Sequence, residues 1–312
     1  MRVEVETPAR LHMGIIELGG HLGTLYGGIG VAIKPPTLKI SVEKSEELEV
    51  VGPYAEAVRE IAARMFLLFN LDIRACIKVW EAIPAHRGFG STTQLTLAVA
   101  TALSKLYGLE TSVEKLASQL GRRRISNVGT AVFKAGGFVL DLPRKSGTDA
   151  YTVFQQRPFP ENWAFVVAYP EKAHGPDEKS EKAFFAKLKP MELEFSQRIS
   201  YLVLCKLLPS LVCEDVAGFG EALTDIQRIL GSYFSEVQGS VFYSDEVVEL
   251  LQRLGARGVG QSSWGPAVYG LYPTHREAEV AARQLAERLS EEWKVFTALP
   301  QNRGATVSVT SQ

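Results

Sequence analysis

Apolar residues recur at helical spacing in the first half of the chain, and two stretches show it most clearly. The first pattern predicts a helix over residues 53–69, and the second predicts a helix that starts after Gly90 and ends at Gly108. The positions are Val58, Ile61, Ala62, Met65, Phe66 and Phe69 in the first helix and Leu95, Val99, Ala102, Leu103 and Leu106 in the second. Apolar and polar residues alternate at 3–6, which predicts a strand. Residues 73–80 also read as a strand, so the glycine-rich turn before the second helix lies between a strand and a helix. The pair Thr7-Pro8 is expected to end the first of these strands.

The second half of the chain has longer helical patterns. Two prolines in Arg157–Glu161 precede the apolar strand Trp163–Ala168 and predict a boundary between two domains, residues 1–160 and 161–312. Helices are expected at about 179–189, 191–206, 210–230 and 245–254, and strands at 267–272, 294–297 and 306–309. Both halves mix strands and helices without strict βαβ alternation, which favours an α+β protein.

The charge balance excludes several classes of protein. Among 312 residues, 34 Lys and Arg stand against 35 Asp and Glu, so the net charge of −1 provides no basic field for nucleic acid. No apolar run approaches the roughly 18 residues of a membrane span, and the alternating start is unlike a signal peptide. Three cysteines without metal-type spacing indicate a reducing compartment. We therefore expect a cytoplasmic protein that acts on small molecules.

The segment Pro84–Gln94 has the composition of a phosphate-binding loop that leads into a helix. Gly88 and Gly90 permit positive φ and close approach of a ligand to the backbone. Ser91, Thr92 and Thr93 are expected to cap the helix, whose first amides would then face an anion. His86 and Arg87 add two cations at the mouth of the loop, and Gln94 completes the candidate site. An ordinary strand-to-helix turn is the alternative interpretation.

Two further segments carry candidate site residues. Arg10 and His12 alternate with Leu11 on a predicted strand, so both side chains point to the same side, toward phosphates or a substrate carboxylate. The glycine-rich segment 258–266 supplies neutral hydrogen-bonding groups at Gly260, Gln261, Ser262 and Ser263. Trp264 either stacks on an aromatic substrate or packs in the core.

Lysine and arginine residues near the middle of the chain form a further group of candidates. Lys134 lies in an apolar stretch before Gly136-Gly137, where an ammonium needs an anionic partner from a ligand or from the protein. Together with Arg10 and His12 it completes the candidate catalytic residues. The run 122–124 consists of three arginines after a helix stop; it is either a solvated face or the source of one phosphate contact.

The order and spacing of three segments, Thr7–His12, Pro84–Gln94 and Gly258–Pro266, resemble the three signatures of the GHMP kinase superfamily. In that superfamily a Pro-x-x-x-Gly-Leu-Gly-Ser-Ser loop wraps nucleotide phosphates, and here Phe89 stands for Leu. The resemblance implies a two-domain GHMP kinase-like fold. Its N-terminal domain would be ribosomal S5 domain 2-like and its C-terminal domain ferredoxin-like.

The finer resemblance is to one branch, the β-ribofuranosylaminobenzene 5'-phosphate synthases of methanopterin biosynthesis. It rests on six stretches, which are 10–18, 27–30, 88–94, 129–138, 215–220 and 258–269. The resemblance implies an enzyme that joins phosphoribosyl pyrophosphate to a 4-substituted benzoate and releases pyrophosphate and carbon dioxide. It also implies Mg²⁺ with the pyrophosphate substrate and a homodimer. Thr24 and Tyr26 depart from the Arg and Asp expected in this branch, so the acceptor stays open.

An ATP-dependent small-molecule kinase of the same fold is the main alternative, because the glycine-serine loop alone would serve it. GHMP kinases usually carry an Asp before the central Gly-Gly, whereas Ile125–Phe138 contains no acid and the first one is Asp141. A phosphotransfer mechanism would then lack its natural proton acceptor. An RNA-binding module is the third interpretation, and the net charge and the lack of a basic-aromatic stripe argue against it.

Overall fold

Two long antiparallel strands at the start of the chain, β1 (Arg2–Glu17) and β2 (Thr24–Lys44), organise the N-terminal half. The prediction that Thr7-Pro8 ends the first strand was wrong. Pro8 pairs with Thr37 beside a bulge between residues 8 and 9, and a bulge lets a strand accommodate a proline. The turn between the two strands lies in the glycine-rich stretch 18–23.

The structure is a computed structural model that describes residues 1–122, 125–145, 148, 150–176 and 178–311. The remaining strands of the first half are β3 (Glu49–Val51), β4 (Ala75–Glu81), β5 (Phe138–Asp141), β6 (Arg144–Lys145) and β7 (Val153–Arg157). Its helices are α1 (Ala55–Phe69), α2 (Ser91–Leu106), α3 (Val113–Gln119) and α4 (Val128–Ala135). The two helices predicted from the apolar pattern are thus present, and α2 packs against β1 and β2.

The second half contains a four-strand antiparallel arrangement in the order β9-β10-β8-β11. These strands are β8 (Ala164–Pro170), β9 (Gly258–Gln261), β10 (Val268–Tyr272) and β11 (Trp293–Pro300). The helices are α5 (Glu178–Lys187), α6 (Leu193–Leu202), α7 (Leu208–Val212), α8 (Val216–Gln238), α9 (Asp245–Arg253) and α10 (His275–Ala286). Residues 203–207 form a π-helical segment between α6 and α7. In chain order this is the βαββαβ pattern of a ferredoxin-like domain, with extra helices before β9.

The two halves share one sheet and one core. Strand β11 pairs with β2 at Leu299 and Pro300, and the last strand, β12 (Thr306–Thr310), pairs with β1. The main hydrophobic core contains residues of both halves, while a second cluster lies between the C-terminal strands and the helices α9 and α10. The division at residue 160 stays a proposal. The last strand of the C-terminal half, β12, pairs with β1 and so belongs to the sheet of the N-terminal half.

Hydroxyl side chains cap three of the helices. Ser112 accepts the capping bond of α3, and Ser244 caps α9. Thr274 caps α10, accepting from the Glu277 amide at 3.2 Å. None of the described helices combines the length and the apolar character needed to cross a bilayer.

Candidate active site

A cavity of about 420 Å³ opens between the two halves of the molecule. It lies where β1, the first turn of α2, the loop before α4, the helices α5 and α8 and the segment after β9 approach one another. Among its lining residues are Arg10, His12, Tyr26, Thr93, Arg122, Ser126, Glu181, Phe185, Gln227, Phe234, Gln238, Gln261, Ser263 and Trp264. The structure therefore brings the three segments singled out in the sequence to one place.

Arg10 supplies a fixed positive charge to this cavity. Its Nη1 atom donates to the carbonyl oxygen of Gly88, and its backbone amide donates to Phe89 at 3.1 Å. Burial lowers the pKa of Arg10 to about 10, and the nearby Glu181 carboxylate opposes that change. The guanidinium stays protonated at neutral pH and is held by the same loop that leads into α2.

The start of α2 differs from the prediction in a way that favours an anion. Ser91, Thr92 and Thr93 were expected to cap the helix, but Gly90 occupies the cap position with φ of 75°, and no described side chain caps the helix. The amide of Gln94 is the first to bond back, to Gly90 at 3.1 Å. The amides of the first turn are thus left for a ligand, and of the three hydroxyl residues only Thr93 lines the cavity.

A serine hydroxyl joins the two glycine-rich segments. Ser262 Oγ accepts from the His12 amide at 2.9 Å and donates to the Gly88 carbonyl at 2.6 Å. A Cβ on Gly88, which has φ of 90°, would collide with the carbonyl oxygen of Ser262. The Ser263 amide donates to the His12 carbonyl at 3.2 Å. Ser262, predicted to bind substrate, is fully buried and instead holds the phosphate-type loop against β1.

His12 is a neutral group in this site. Burial, followed by the charge of Arg10, lowers its pKa to about 3. At physiological pH its imidazole can therefore exchange hydrogen bonds with a substrate and carries no charge. The cationic character of this end of the cavity comes from Arg10.

Aromatic rings form another part of the lining. Trp264 contacts Phe234 and Phe185 with ring centroids 4.7 and 5.5 Å apart, and Phe185 contacts Tyr26 at 6.0 Å. The Trp264 indole donates to Glu181 Oε1 at 3.1 Å. Trp264 thus packs in an aromatic cluster and also borders the cavity, and its stacking on a substrate stays a prediction. Tyr26, where the branch was expected to have a charged residue, belongs to this wall.

The other residues of the second segment are bonded within the protein. The Gln261 amide donates to Gln227 Oε1 at 2.8 Å, and its Nε2 donates to Gln238 Oε1 at 2.8 Å. Its Oε1 accepts from the Tyr243 amide at 2.5 Å. A Cβ at Gly260 would lie 2.7 Å from the Tyr269 hydroxyl oxygen. Gln261 borders the cavity, but its side-chain amide already forms hydrogen bonds with other protein groups.

Three predicted site residues in or beside the first loop face away from the cavity. Arg87 is buried, donates to the Glu171 carbonyl and lies 5.8 Å from the Tyr169 ring. His86 is exposed, with φ of 53°. Gln94 is fully buried, accepting from Thr7 Oγ1 at 2.7 Å and donating to Gly129 at 2.9 Å. The structure assigns Arg87 and Gln94 to the support of the loop.

Lys134 is also outside the cavity. Its Nζ lies 2.5 Å from Glu114 Oε1 and 5.6 Å from the centroid of Tyr151, and half of its side chain is exposed. The expected anionic partner is therefore a protein carboxylate. Arg122 lines the cavity, whereas Arg123 and Arg124 lie outside the described residues.

Several lining residues carried no signal in the sequence. Glu181 and Phe185 lie on α5, and Gln227 and Phe234 lie on the part of α8 that follows the stretch 215–220 and carries no motif. Periodicity identified the helices, but only the tertiary packing of α5 and α8 decides which of their residues meet Arg10.

The carboxylates near the site are few. Asp141 is fully buried and accepts from the Asn127 amide at 2.7 Å and from Thr152 Oγ1 at 2.8 Å, so it anchors the start of α4. Among the described residues that line the cavity, Glu181 is the one carboxylate. The described part of the chain holds no cluster of three or more His, Cys, Asp or Glu suited to a metal.

Comparisons with known proteins agree with this geometry. The model of the GHMP kinases N terminal domain matches residues 54–135, and that of the GHMP kinases C terminal domain matches residues 207–291. The chain is 33% identical to a beta-ribofuranosylphenol 5'-phosphate synthase of Archaeoglobus fulgidus, over 98% of this chain and 100% of that protein. It is 30% identical to one of Methanothermobacter thermautotrophicus, over 96% and 97%.

The solved structures confirm the fold expected from the resemblance. Homoserine kinase from Cytophaga hutchinsonii superposes with a TM-score of 0.71 at 17% identity, covering 98% of this chain and 97% of that one. At this level of identity the likeness concerns the GHMP kinase-like fold alone.

Proposed function

Because this chain belongs to the family of β-ribofuranosylphenol 5'-phosphate synthases within the GHMP kinases, we propose that it transfers ribose 5-phosphate from phosphoribosyl pyrophosphate to 4-hydroxybenzoate. Membership makes the chain an enzyme of the pentosyltransferase type. The proposed products are pyrophosphate, carbon dioxide and the C-riboside of phenol. The word phenol in the relatives' name favours 4-hydroxybenzoate over 4-aminobenzoate as the acceptor. The proposal includes a role in methanopterin-type cofactor synthesis, a cytoplasmic location and a homodimer.

One observation carries the proposal: the cavity joins a partly buried guanidinium at an uncapped helix start to a wall of aromatic rings. Arg10 and the first amides of α2 offer positive charge and donors to an anion. Trp264, Phe185 and Phe234 offer apolar contact to an arene. A phosphorylated sugar and an aromatic acid together need both kinds of surface.

The chemistry fits the scarcity of carboxylates. The bond from ribose C1 to the pyrophosphate oxygen breaks, and a bond forms between C1 and the ring carbon that carries the carboxylate. The bond from that ring carbon to the carboxylate then breaks, its electron pair restores the aromatic ring, and carbon dioxide leaves. No proton has to be removed from the acceptor carbon. A general base of the kinase type is therefore unnecessary, in agreement with the engagement of Asp141 elsewhere.

The protein's part in this reaction is binding and charge stabilisation. Charge grows on the pyrophosphate oxygens as they depart, and Arg10 with the amides of α2 would stabilise it. His12, neutral because of its lowered pKa, would exchange hydrogen bonds with the ribosyl group or the carboxylate. Because His12 is neutral, Arg10 supplies the positive charge at this position.

Magnesium is proposed to enter with phosphoribosyl pyrophosphate. Mg²⁺ in such sites is commonly held by one or two protein carboxylates together with substrate phosphates. Glu181, the carboxylate of the described lining, fits the part of the protein ligand. When bound, the ion would neutralise charge on the pyrophosphate.

The proposal is tested by incubating the wild-type enzyme with phosphoribosyl pyrophosphate, magnesium and 4-hydroxybenzoate and measuring carbon dioxide and pyrophosphate together. In Arg10→Ala we expect kcat/KM to fall about 100-fold, a loss of roughly 3 kcal/mol of transition-state stabilisation. Arg87→Ala is the control, because it removes a buried arginine of the neighbouring loop that does not line the cavity. It should lower the melting temperature and leave kcat/KM of the folded enzyme nearly unchanged.

Three results would argue against the proposal. Wild-type rates in Arg10→Ala would remove Arg10 from the site. Absence of both products with 4-hydroxybenzoate and with 4-aminobenzoate would indicate another acceptor, with Tyr26 as the position to examine. ADP formed from ATP only in the presence of an added alcohol would favour the kinase interpretation.

A further inference from the structure

The strand β12 (Thr306–Thr310) forms an open edge of the sheet. It pairs with β1 on one side, and among the described strands nothing pairs with its other side. All five of its side chains are exposed, with Val307 at 37% and Val309 at 50%. The stretch from Gly304 to Ser311 contains no charged residue and no proline. Edge strands usually carry such residues because unpaired amides and carbonyls bind other strands.

Two other edges of the sheet, at β9 and β3, are protected. At the far end of the strand order, β9 is buried, and α8 packs against it. The short strand β3 carries Glu49 and follows Glu46 and Glu47. The edge at β12 therefore lacks the protection that these two edges have.

The sequence of β12, Thr306-Val-Ser-Val-Thr310, reads the same in both directions. We propose that β12 pairs antiparallel with β12 of a second copy of this chain, about a twofold axis at Ser308. In that register Val307 lies opposite the partner's Val309, Thr306 lies opposite the partner's Thr310, and the two Ser308 residues face each other. Val–Val and Thr–Thr pairs across strands are favourable, so the palindrome makes this edge complementary to itself.

The face on which the two valines lie supports a strand as the occupant. Val307 and Val309 are directly opposite Val5 and Val3 of β1, which are almost fully buried on the core face of the sheet. The apolar stripe therefore continues onto β12, beyond the part of the sheet that α2 covers. A second copy would extend the sheet and place its own two valines beside this exposed end of the stripe.

Charges near the seam do not oppose the pairing. Thr306, Ser308 and Thr310 place neutral groups on the outer face of β12. The nearest charges on that face, one strand away, are Arg2 and Glu4, which are paired with each other at 2.8 Å, and Glu6, which lies 2.6 Å from Lys34. Like charges therefore do not meet across the twofold axis.

The first experiment compares two double variants by sedimentation of the whole protein over the micromolar range. Val307→Lys/Val309→Lys places lysine opposite lysine at both pairs and should yield a monomer. Val307→Lys/Val309→Glu has the same polarity but places lysine opposite glutamate at both pairs, and it should stay a dimer like the wild type. Both positions are partly exposed, so the fold tolerates either change. A monomeric wild type, or equal behaviour of the two variants, overturns the proposal.

The second experiment tests the axis by crosslinking in a Cys205→Ser/Cys213→Ser background, which removes the exposed native thiols. Facing residues of antiparallel strands have Cα atoms about 4.5–5.5 Å apart, a separation that a disulfide spans. Ser308→Cys should therefore form a covalent dimer with oxidised glutathione. Thr306→Cys is the matched control, because the two copies of residue 306 would lie about 14 Å apart. A Thr306→Cys dimer, or an uncrosslinked Ser308→Cys protein, places the interface elsewhere, and a dimer of the wild type would then use another surface.

Discussion

The segments 88–94 and 258–266 have similar compositions and opposite roles. Both are rich in glycine and hydroxyl residues, and both lie at the cavity. The first leads into the 16-residue helix α2, whose initial amides have no side-chain cap among the described residues. The second leads into the strand β10, and Gln261 and Ser262 bond to other protein groups. One segment presents polar groups to a ligand, and the other uses them to hold the first in place.

This difference shows that composition alone does not identify an anion site. A helix dipole and free amides require a helix after the glycines, whereas a strand directs its amides to neighbouring strands. The apolar stretch 267–272 already indicated a strand after the second segment. The sequence did not reveal that Ser262 Oγ bonds to both His12 and Gly88. These hydrogen bonds join residues that are far apart in the chain, separated by 250 positions for His12 and by 174 for Gly88.

The largest effect is expected at Gly90. Gly90→Val should abolish binding of phosphoribosyl pyrophosphate in calorimetric titration. The new Cβ would lie 3.1 Å from Arg10 Cγ, and a branched residue disfavours the local φ of 75°. Displacement of Arg10 and the loop would remove both the charge and the amides of the proposed site.

Gly108→Val is the control for Gly90→Val. Gly108 has a similar φ of 67°, but no atom lies within 4 Å of its added Cβ. Both variants should lose a comparable amount of stability, in the range of about 1–3 kcal/mol, from backbone strain. Only Gly90→Val should lose binding, and equal losses of binding would show that strain alone explains the result.

Local patterns predicted the elements and the residues closest to the loop, while long-range contacts decided the rest. Arg10 and His12 were predicted together because alternation places them on one face of a strand, and both line the cavity. Arg87 was also predicted to bind substrate, as a cation in the glycine-rich loop. Its guanidinium instead donates to the Glu171 carbonyl, 84 positions away in the chain. Lys134 lies beside Glu114, on a different helix. Glu181 reaches the cavity because α5 packs beside Trp264, a contact that no spacing encodes.

A smaller effect should sharpen the role of the second segment. Ser262→Ala leaves the buried His12 amide without its acceptor and removes one donor from Gly88, so the free energy of unfolding should fall by about 2 kcal/mol. Urea denaturation measures this change. Activity at saturating substrate should fall less than in Arg10→Ala, because the hydroxyl is fully buried and does not line the cavity. Ser263→Gly, at a neighbouring φ of 56°, should keep or raise stability. An unchanged free energy in Ser262→Ala would contradict the supporting role.

The smallest effect concerns the pH dependence of stability through His12. Its pKa in the folded protein is lowered to about 3, whereas an unfolded histidine has a pKa near 6.5. Below pH 6.5 the unfolded state binds the proton first, so His12 should lower the free energy of unfolding as the pH falls from about 6.5 toward 3. Between pH 7.5 and pH 5.5 the wild type should lose about 1 kcal/mol more than His12→Gln, whose side chain does not titrate. Urea denaturation of both proteins at the two pH values isolates this contribution, because the other titrating groups are shared. If the wild type is the more stable protein at pH 7.5, its advantage over His12→Gln should be smaller at pH 5.5. Parallel losses would instead mean that His12 accepts a proton in the folded protein and adds a second cation beside Arg10.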